Sequence, residues 1–318
     1  MSFIFNTFIV IINFLCIYGF SNHFRNLRNV KSLQMGDSPN DVAVVLLAGG
    51  KGTRMKSSIP KQFLPLLGRP VFLRSLDCFK ELSCVKSIAI VLDSSFRDEY
   101  QYAIDGDDRI VWADPGTERQ DSVYNGLQVT PDSCDVVAIH DAARPLVTKE
   151  EIMNVLNDGF QHGAAVLGVP MKATVKESED GEFVLRTVPR SRLWEVHTPQ
   201  VVRKNIILDG FKKVNEEGLE VTDDVSVIEQ LGLPVKLTKG EYTNIKLTTP
   251  DDMQIAEQLL RERGVVENNN NNNSNSNSSN SNSSNSHSSN SHSSDRGKLK
   301  DAYECSTKRY FEKLEGKK

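Results

Sequence analysis

Val42-Ala43-Val44-Val45-Leu46-Leu47, followed by Ala48-Gly49-Gly50-Lys51-Gly52-Thr53-Arg54, decides how the chain is read. A continuous apolar run with several valines is the pattern of a strand buried on both faces, as in a parallel sheet. The glycines that follow end the strand and open a loop at its carboxyl end. In open α/β sheets ligands bind at such loops. Glycines there let backbone N–H groups approach phosphate oxygens closely. Arg54, and Lys61 in Pro60-Lys61-Gln62, add fixed positive charge. The spacing excludes two better-known phosphate loops. A dinucleotide fingerprint starting at Gly50 and Gly52 meets Met55 where the third glycine belongs, and a P-loop cannot form because Lys51 is followed by Gly52.

Outward from this loop, helix and strand patterns alternate. Residues 71–82 are apolar at helical spacing, 85–92 read as a strand, 121–129 as a helix and 135–140 as a strand. Thr148 and Glu151 form a capping box for a helix over 150–160, and a strand over 163–169 follows. Near the end Thr249 caps a helix reaching residue 263, with Pro250 first and Asp251 and Asp252 complementing its dipole. This alternation predicts an α/β fold, a mainly parallel sheet covered by helices. Residues 171–188 break the rhythm: alternating residues around Glu179-Asp180-Gly181 predict an inserted β-hairpin.

Charge and composition divide the chain of 318 residues further. Residues 1–40 carry +2 and residues 295–318 carry +3, so the net −4 leaves −9 for residues 41–294. So acidic a body argues against a nucleic-acid surface, which needs a basic face. Residues 2–20 are uncharged and largely apolar, and residues 21–40 are basic with no acid before Asp37. The pair predicts a signal-like segment (1–20) followed by a transit-like segment (21–40), the two-part address of plastids reached through the secretory route. A plain secretory signal or a retained membrane anchor is the alternative. Removal of the presequence would leave no stable membrane association. Residues 268–294 are all Asn or Ser except His287 and His292, so this tract has almost no apolar surface with which to fold. A charged tail, 295–318, has no legible role. Of five cysteines only Cys78, Cys84 and Cys134 fall in the body, without C-x-x-C spacing, so neither a disulfide framework nor a zinc site is indicated. The functional domain is expected over 41–267, its hairpin arm at about 171–190.

Two further loops agree with the first. Gly116-Thr117-Glu118-Arg119-Gln120-Asp121-Ser122 enters a helix, and His140-Asp141-Ala142-Ala143-Arg144-Pro145 follows a strand. Together with Ala48-Gly49-Gly50, Pro60-Lys61-Gln62, Leu193-Trp194, Thr198-Pro199-Gln200, Thr222-Asp223-Asp224 and Asn244-Ile245-Lys246, they resemble the 2-C-methyl-D-erythritol 4-phosphate cytidylyltransferase family, its plant branch above all. The motifs occur in family order across the whole body. The chain departs from the pattern at Thr117 and Thr243, where many bacterial members have an acid.

The resemblance implies a Rossmann-like fold of nucleotidyltransferase type, whose hairpin arm joins two copies into a homodimer and completes the neighbour's site. It implies that CTP and methylerythritol phosphate give the CDP-linked alcohol and pyrophosphate, with Mg²⁺, in isoprenoid precursor synthesis within a plastid. It assigns Arg54, Lys61, Arg190 and Lys246 to catalysis, and Ala48, Gly49, Gly50, Gly52, Gly116, Thr117, Arg119, Ser122 and Ala142 to CTP. Asp141, Arg144, Thr174, Thr198 and Thr222 fall to the acceptor, with Asp141 also a contact for a Mg²⁺ ion held mainly by the triphosphate. A ribitol-phosphate cytidylyltransferase would share the nucleotide site, but the Thr198-Pro199-Gln200 and Asn244-Ile245-Lys246 segments favour methylerythritol.

Overall fold

The computed structural model describes residues 41–50, 59–219 and 221–266. The presequence, Gly52, Arg54, the Asn/Ser tract and the tail lie outside the described residues. In chain order come β1 (Val42–Leu47), the short β2 (Pro65–Leu66) and β3 (Arg69–Pro70), α1 (Val71–Lys80), β4 (Val85–Val91), α2 (Arg97–Tyr100) and β5 (Ile110–Ala113). Then follow α3 (Arg119–Gln128), β6 (Val136–Asp141), α4 (Lys149–His162), β7 (Ala164–Pro170), β8 (Val175–Glu177) and β9 (Arg186–Val188). The series ends with β10 (Trp194–Arg203), α5 (Lys204–Glu217), α6 (Asp224–Gln230), β11 (Lys236–Lys239) and α7 (Pro250–Glu262).

Seven strands form one sheet in the order β11-β7-β10-β6-β1-β4-β5. β1 pairs parallel with both β4 and β6, and β4–β5 and β7–β11 are parallel too. Only β10 runs antiparallel, between β6 and β7. The apolar run of β1 is continuous because both its faces are covered. Val42, Val44 and Leu46 pack with Phe72, Phe79 and Ile88, while Ala43 and Val45 pack with Val123, Leu127 and Phe211 on the other side.

The expected helix starts are present. Thr148 Oγ1 accepts the Glu151 N–H while the Glu151 carboxylate accepts the Thr148 N–H, and Thr249 with Asp252 builds the same box around Pro250. The hairpin β8–β9 forms a separate two-stranded sheet, turned at Asp180 and Gly181.

This topology places the site. The chain steps from β1 through β4 to β5 on one side, then returns to β6 on the other. The switch point therefore lies between the carboxyl ends of β1 and β6, where the loops diverge and leave a crevice. The two ends are joined there by the Ala142 N–H, which donates to the Leu47 carbonyl at 3.0 Å.

Candidate active site

At this switch point opens a cleft of about 480 Å³. One wall is the loop after β1, with Ala48, Gly49 and Gly50. The loop into α3 supplies the opposite wall, Asp141 and Ala143 come from the end of β6, and Lys61 and Lys246 reach in from the flanks.

Each wall has a local cause. A Cβ on Gly49 would lie 3.0 Å from the Pro115 side chain, so a larger residue would push the two walls apart. On Gly116 it would stand 2.1 Å from the Asp121 Cβ, so only glycine lets this loop fold onto the start of α3. The Gly116 N–H donates to Ser122 Oγ at 2.9 Å, and that hydroxyl donates to the Glu118 carbonyl at 3.0 Å. Lys61 is carried by a short 3-10 turn whose Phe63 is buried, stacked on Tyr100 with ring centroids 5.1 Å apart. Its Nζ donates to the Leu247 carbonyl at 3.0 Å, and the Leu247 N–H donates to the Ala143 carbonyl at 2.8 Å.

Asp141 is the electrostatic centre. Its Oδ2 accepts from Lys246 Nζ at 2.5 Å and its Oδ1 from Arg119 Nη2 at 3.2 Å. Burial alone would raise the pKa of this carboxyl, but Arg119 and Lys246 outweigh burial and hold it well below the usual carboxylate range. Arg119 also grips Asp224 with both Nη atoms, at 2.7 and 2.8 Å. Burial opposes the charge of this guanidinium, yet the two carboxylates raise its pKa above the ordinary arginine value. The Thr222-Asp223-Asp224 motif gives Asp224 no role in the sequence, because its partner Arg119 lies 105 positions away. The structure divides the work between the two acids. Asp223 caps α6 through the Ser226 N–H at 2.9 Å, which leaves Asp224 to turn inward, its side chain 1% exposed.

The residues expected to act together separate into groups. Ala48, Gly49, Gly50, Lys61, Gly116, Thr117, Arg119, Ser122, Asp141 and Lys246 line the cleft. Ala142 lies behind it, buried, its carbonyl accepting from Ser75 Oγ at 2.7 Å, while its neighbour Ala143 faces in. Arg144 is buried as well and donates to the carbonyls of Asn244 at 2.6 Å and Val196 at 3.3 Å. Thr198 donates no side chain to the cleft wall but accepts the Asp141 N–H at 3.1 Å. Thr222 sits in a small neighbouring pocket beside Arg119. Thr174 and Arg190 are exposed on the arm, Arg190 donating to the Lys172 carbonyl at 2.8 Å. Gly52 and Arg54 fall outside the described residues.

For a metal the donors are sparse. Among the described residues no three His, Cys, Asp or Glu side chains are placed to hold an ion. Asp141, the expected contact, lies between Arg119 and Lys246, whose positive charges oppose a further cation there. These residues do not fit a protein-held Mg²⁺.

Comparison with known proteins agrees with this geometry. Residues 42–262 match the family model described as IspD: 2-C-methyl-D-erythritol 4-phosphate cytidylyltransferase. The chain is 52% identical over 223 residues to the chloroplastic 2-C-methyl-D-erythritol 4-phosphate cytidylyltransferase of Oryza sativa subsp. japonica, covering 70% of this chain and 75% of the rice protein. It is 41% identical over 229 residues to the enzyme of the same name from Caldanaerobacter subterraneus subsp. tengcongensis, covering 70% of this chain and all of that one. Among solved structures, the 2-C-methyl-D-erythritol 4-phosphate cytidylyltransferase of Thermus thermophilus superposes with a TM-score of 0.57 at 30% identity, covering 70% of this chain and 99% of that one. The chain belongs to the 2-C-methyl-D-erythritol 4-phosphate cytidylyltransferase family.

Proposed function

We propose that the chain transfers a cytidylyl group from CTP to 2-C-methyl-D-erythritol 4-phosphate, giving 4-diphosphocytidyl-2-C-methyl-D-erythritol and pyrophosphate, a step in isoprenoid precursor synthesis. The observation that carries this reading is the cleft at the β1/β6 switch point, glycine-walled on one side and ending in the Asp141–Lys246 pair on the other. CTP would enter as its Mg²⁺ complex, the ion supplying charge screening of the triphosphate.

The acceptor's own phosphate is the nucleophile, so the protein's task is alignment and charge stabilisation. The loop of Gly49 and Gly50 receives the triphosphate, with Lys61 beside it, and Arg54 joins by family resemblance. Gly116, Thr117 and Ser122 receive the base and ribose, with Ala142 in support. Lys246 holds the acceptor phosphate near the α-phosphorus, and Asp141, kept ionised, accepts from the acceptor's hydroxyls. Arg144, Thr198 and Thr222 complete the acceptor side by resemblance.

Thr174 and Arg190 complete the site from a second copy, so the active form is a homodimer joined through the arm. The arm presents Phe183, Val184 and Leu185 at 74%, 60% and 55% exposure, an apolar tip that supports this reading. The chain acts in a plastid, addressed by residues 1–40, and the chloroplastic rice relative supports that location. Among the described residues no helix is long and apolar enough to cross a membrane.

The experiment is acceptor-dependent release of pyrophosphate from CTP and Mg²⁺, run with methylerythritol phosphate and, separately, ribitol phosphate. Release with the first is expected. Release with ribitol phosphate alone would overturn the acceptor assignment.

A further inference from the structure

Beneath the turn that carries Asp141 lies a buried histidine that no step above uses. His140, at the end of β6, is wholly buried, and its ring meets Phe79 edge-on at 5.1 Å. Its Nε2 lies 3.1 Å from the Arg144 carbonyl oxygen. A carbonyl only accepts, so the ring proton sits on Nε2 and Nδ1 is bare. Nδ1 therefore accepts from the Thr198 hydroxyl at 3.1 Å, and that oxygen in turn accepts the Asp141 N–H at 3.1 Å. Asn244 closes the far side. Its Nδ2 donates to the Thr198 carbonyl at 3.0 Å and its own carbonyl accepts from Arg144 Nη1 at 2.6 Å. One imidazole thus ties both ends of the 141–144 turn to β10, and Lys246 stands two residues beyond Asn244.

We propose that His140 is a positioning residue for cytidylyl transfer: by holding the Arg144 carbonyl through Nε2–H and the Thr198 hydroxyl through Nδ1, it fixes the 141–144 turn so that the Asp141 carboxylate stays between Arg119 and Lys246 at the cleft. This rests on the reading of the cleft given above. Burial pushes the imidazole pKa down to about 4, so the ring is neutral and the donor–acceptor order is kept at physiological pH. A proton on Nδ1 would turn the Thr198 hydroxyl hydrogen away from the ring and set the network in a different order. Removing the ring nitrogens would orphan the Arg144 carbonyl and free the Thr198 rotor in a place water does not reach.

His140→Phe keeps the aromatic packing on Phe79 and removes both ties. His140→Gln returns an amide N–H near Nε2, and His140→Asn returns an amide oxygen near Nδ1. In steady-state assays of the full chain, His140→Phe is expected to lower kcat/KM for methylerythritol phosphate at least tenfold, with KM for CTP within about twofold of wild type. His140→Gln is expected to recover part of the loss. A folded His140→Phe protein with wild-type kcat and KM values, whatever its melting temperature, would overturn the proposal, because His140 would then serve stability alone. Should His140→Phe fail to fold, His140→Gln and His140→Asn carry the same comparison, and unchanged kinetics in both overturn it equally. Nitrogen NMR on the wild-type protein supplies a readout independent of turnover: a protonated Nε2 and bare Nδ1 near pH 7 are expected, and a proton on Nδ1 overturns the proposal. Absence of transfer by the wild-type chain is a different result and refutes the functional reading itself.

Discussion

The cleft between β1 and β6 and the hairpin β8–β9 hold residues assigned to one reaction in opposite settings. At the cleft, Asp141 and Arg119, with Asp224 behind them, are locked by ion pairs within the chain, and Gly49 and Gly116 leave no room for a Cβ. On the arm, Thr174 and Arg190 are exposed, and the apolar tip has no cover in the described residues of a single copy. A lone two-stranded hairpin is marginal in water. The difference teaches that one half of the site is organised by folding, whereas the other half, on our reading, is organised by association.

The largest effect should come from the cleft. Lys61→Ala is expected to cut kcat at least about a hundredfold, the scale of losing one charge-stabilising donor. A near-wild-type rate would show that Lys61 serves only to hold Leu247. Mixing experiments sharpen the comparison next. Lys61→Ala and Arg190→Ala homodimers should each be impaired, yet a mixture should recover about a quarter of wild-type sites, because each mixed dimer rebuilds one complete site from an intact cleft and a partner's intact arm. No recovery after subunit exchange would place Arg190 in the site of its own chain.

A smaller effect separates the two regions by pH. His140 and His197 are buried on the cleft side, and each has its pKa pushed down to about 4, by burial first and, for His197, then by Arg144. An unfolded histidine takes up a proton below about pH 6.5, but these two in the folded chain do not. Their contribution to stability is therefore complete above that pH and is lost as pH drops from about 6.5 toward 4, at a limiting slope of about 1.4 kcal/mol per pH unit for each histidine. Urea midpoints at pH 7 and pH 5 check this. His140→Phe should roughly halve the acid slope, and an unchanged slope would mean that the imidazole is protonated in the folded state.

Much of this was legible in the sequence where signals are local. The β1 run, the Thr148 and Thr249 caps and the Asp180–Gly181 turn are each read from a few neighbouring residues. α5 passed unread because Arg203 offers no side-chain cap to announce it. The sense of β10 was hidden too: Glu195 and Val196 are exposed, and the continuous buried run starts only at His197. In the site, the glycines and the 140–145 motif could be seen, but the pairing of Arg119 with Asp224 spans 105 positions and the tie from Lys61 to Leu247 spans 186. Such partnerships come from topology, and no spacing rule reports them. The assignment of Arg144 to the acceptor meets a buried guanidinium engaged with two carbonyls.

The central claim is direct attack by the acceptor's phosphate on CTP, with no covalent cytidylyl-enzyme. The Ser122 hydroxyl, already accepting from Gly116 and donating to Glu118, fits that claim. Isotope exchange tests it most directly: the chain is incubated with CTP, Mg²⁺ and labelled pyrophosphate, first without and then with methylerythritol phosphate. Direct attack predicts no label in CTP until the acceptor is added, and label appearing in CTP without the acceptor would contradict it.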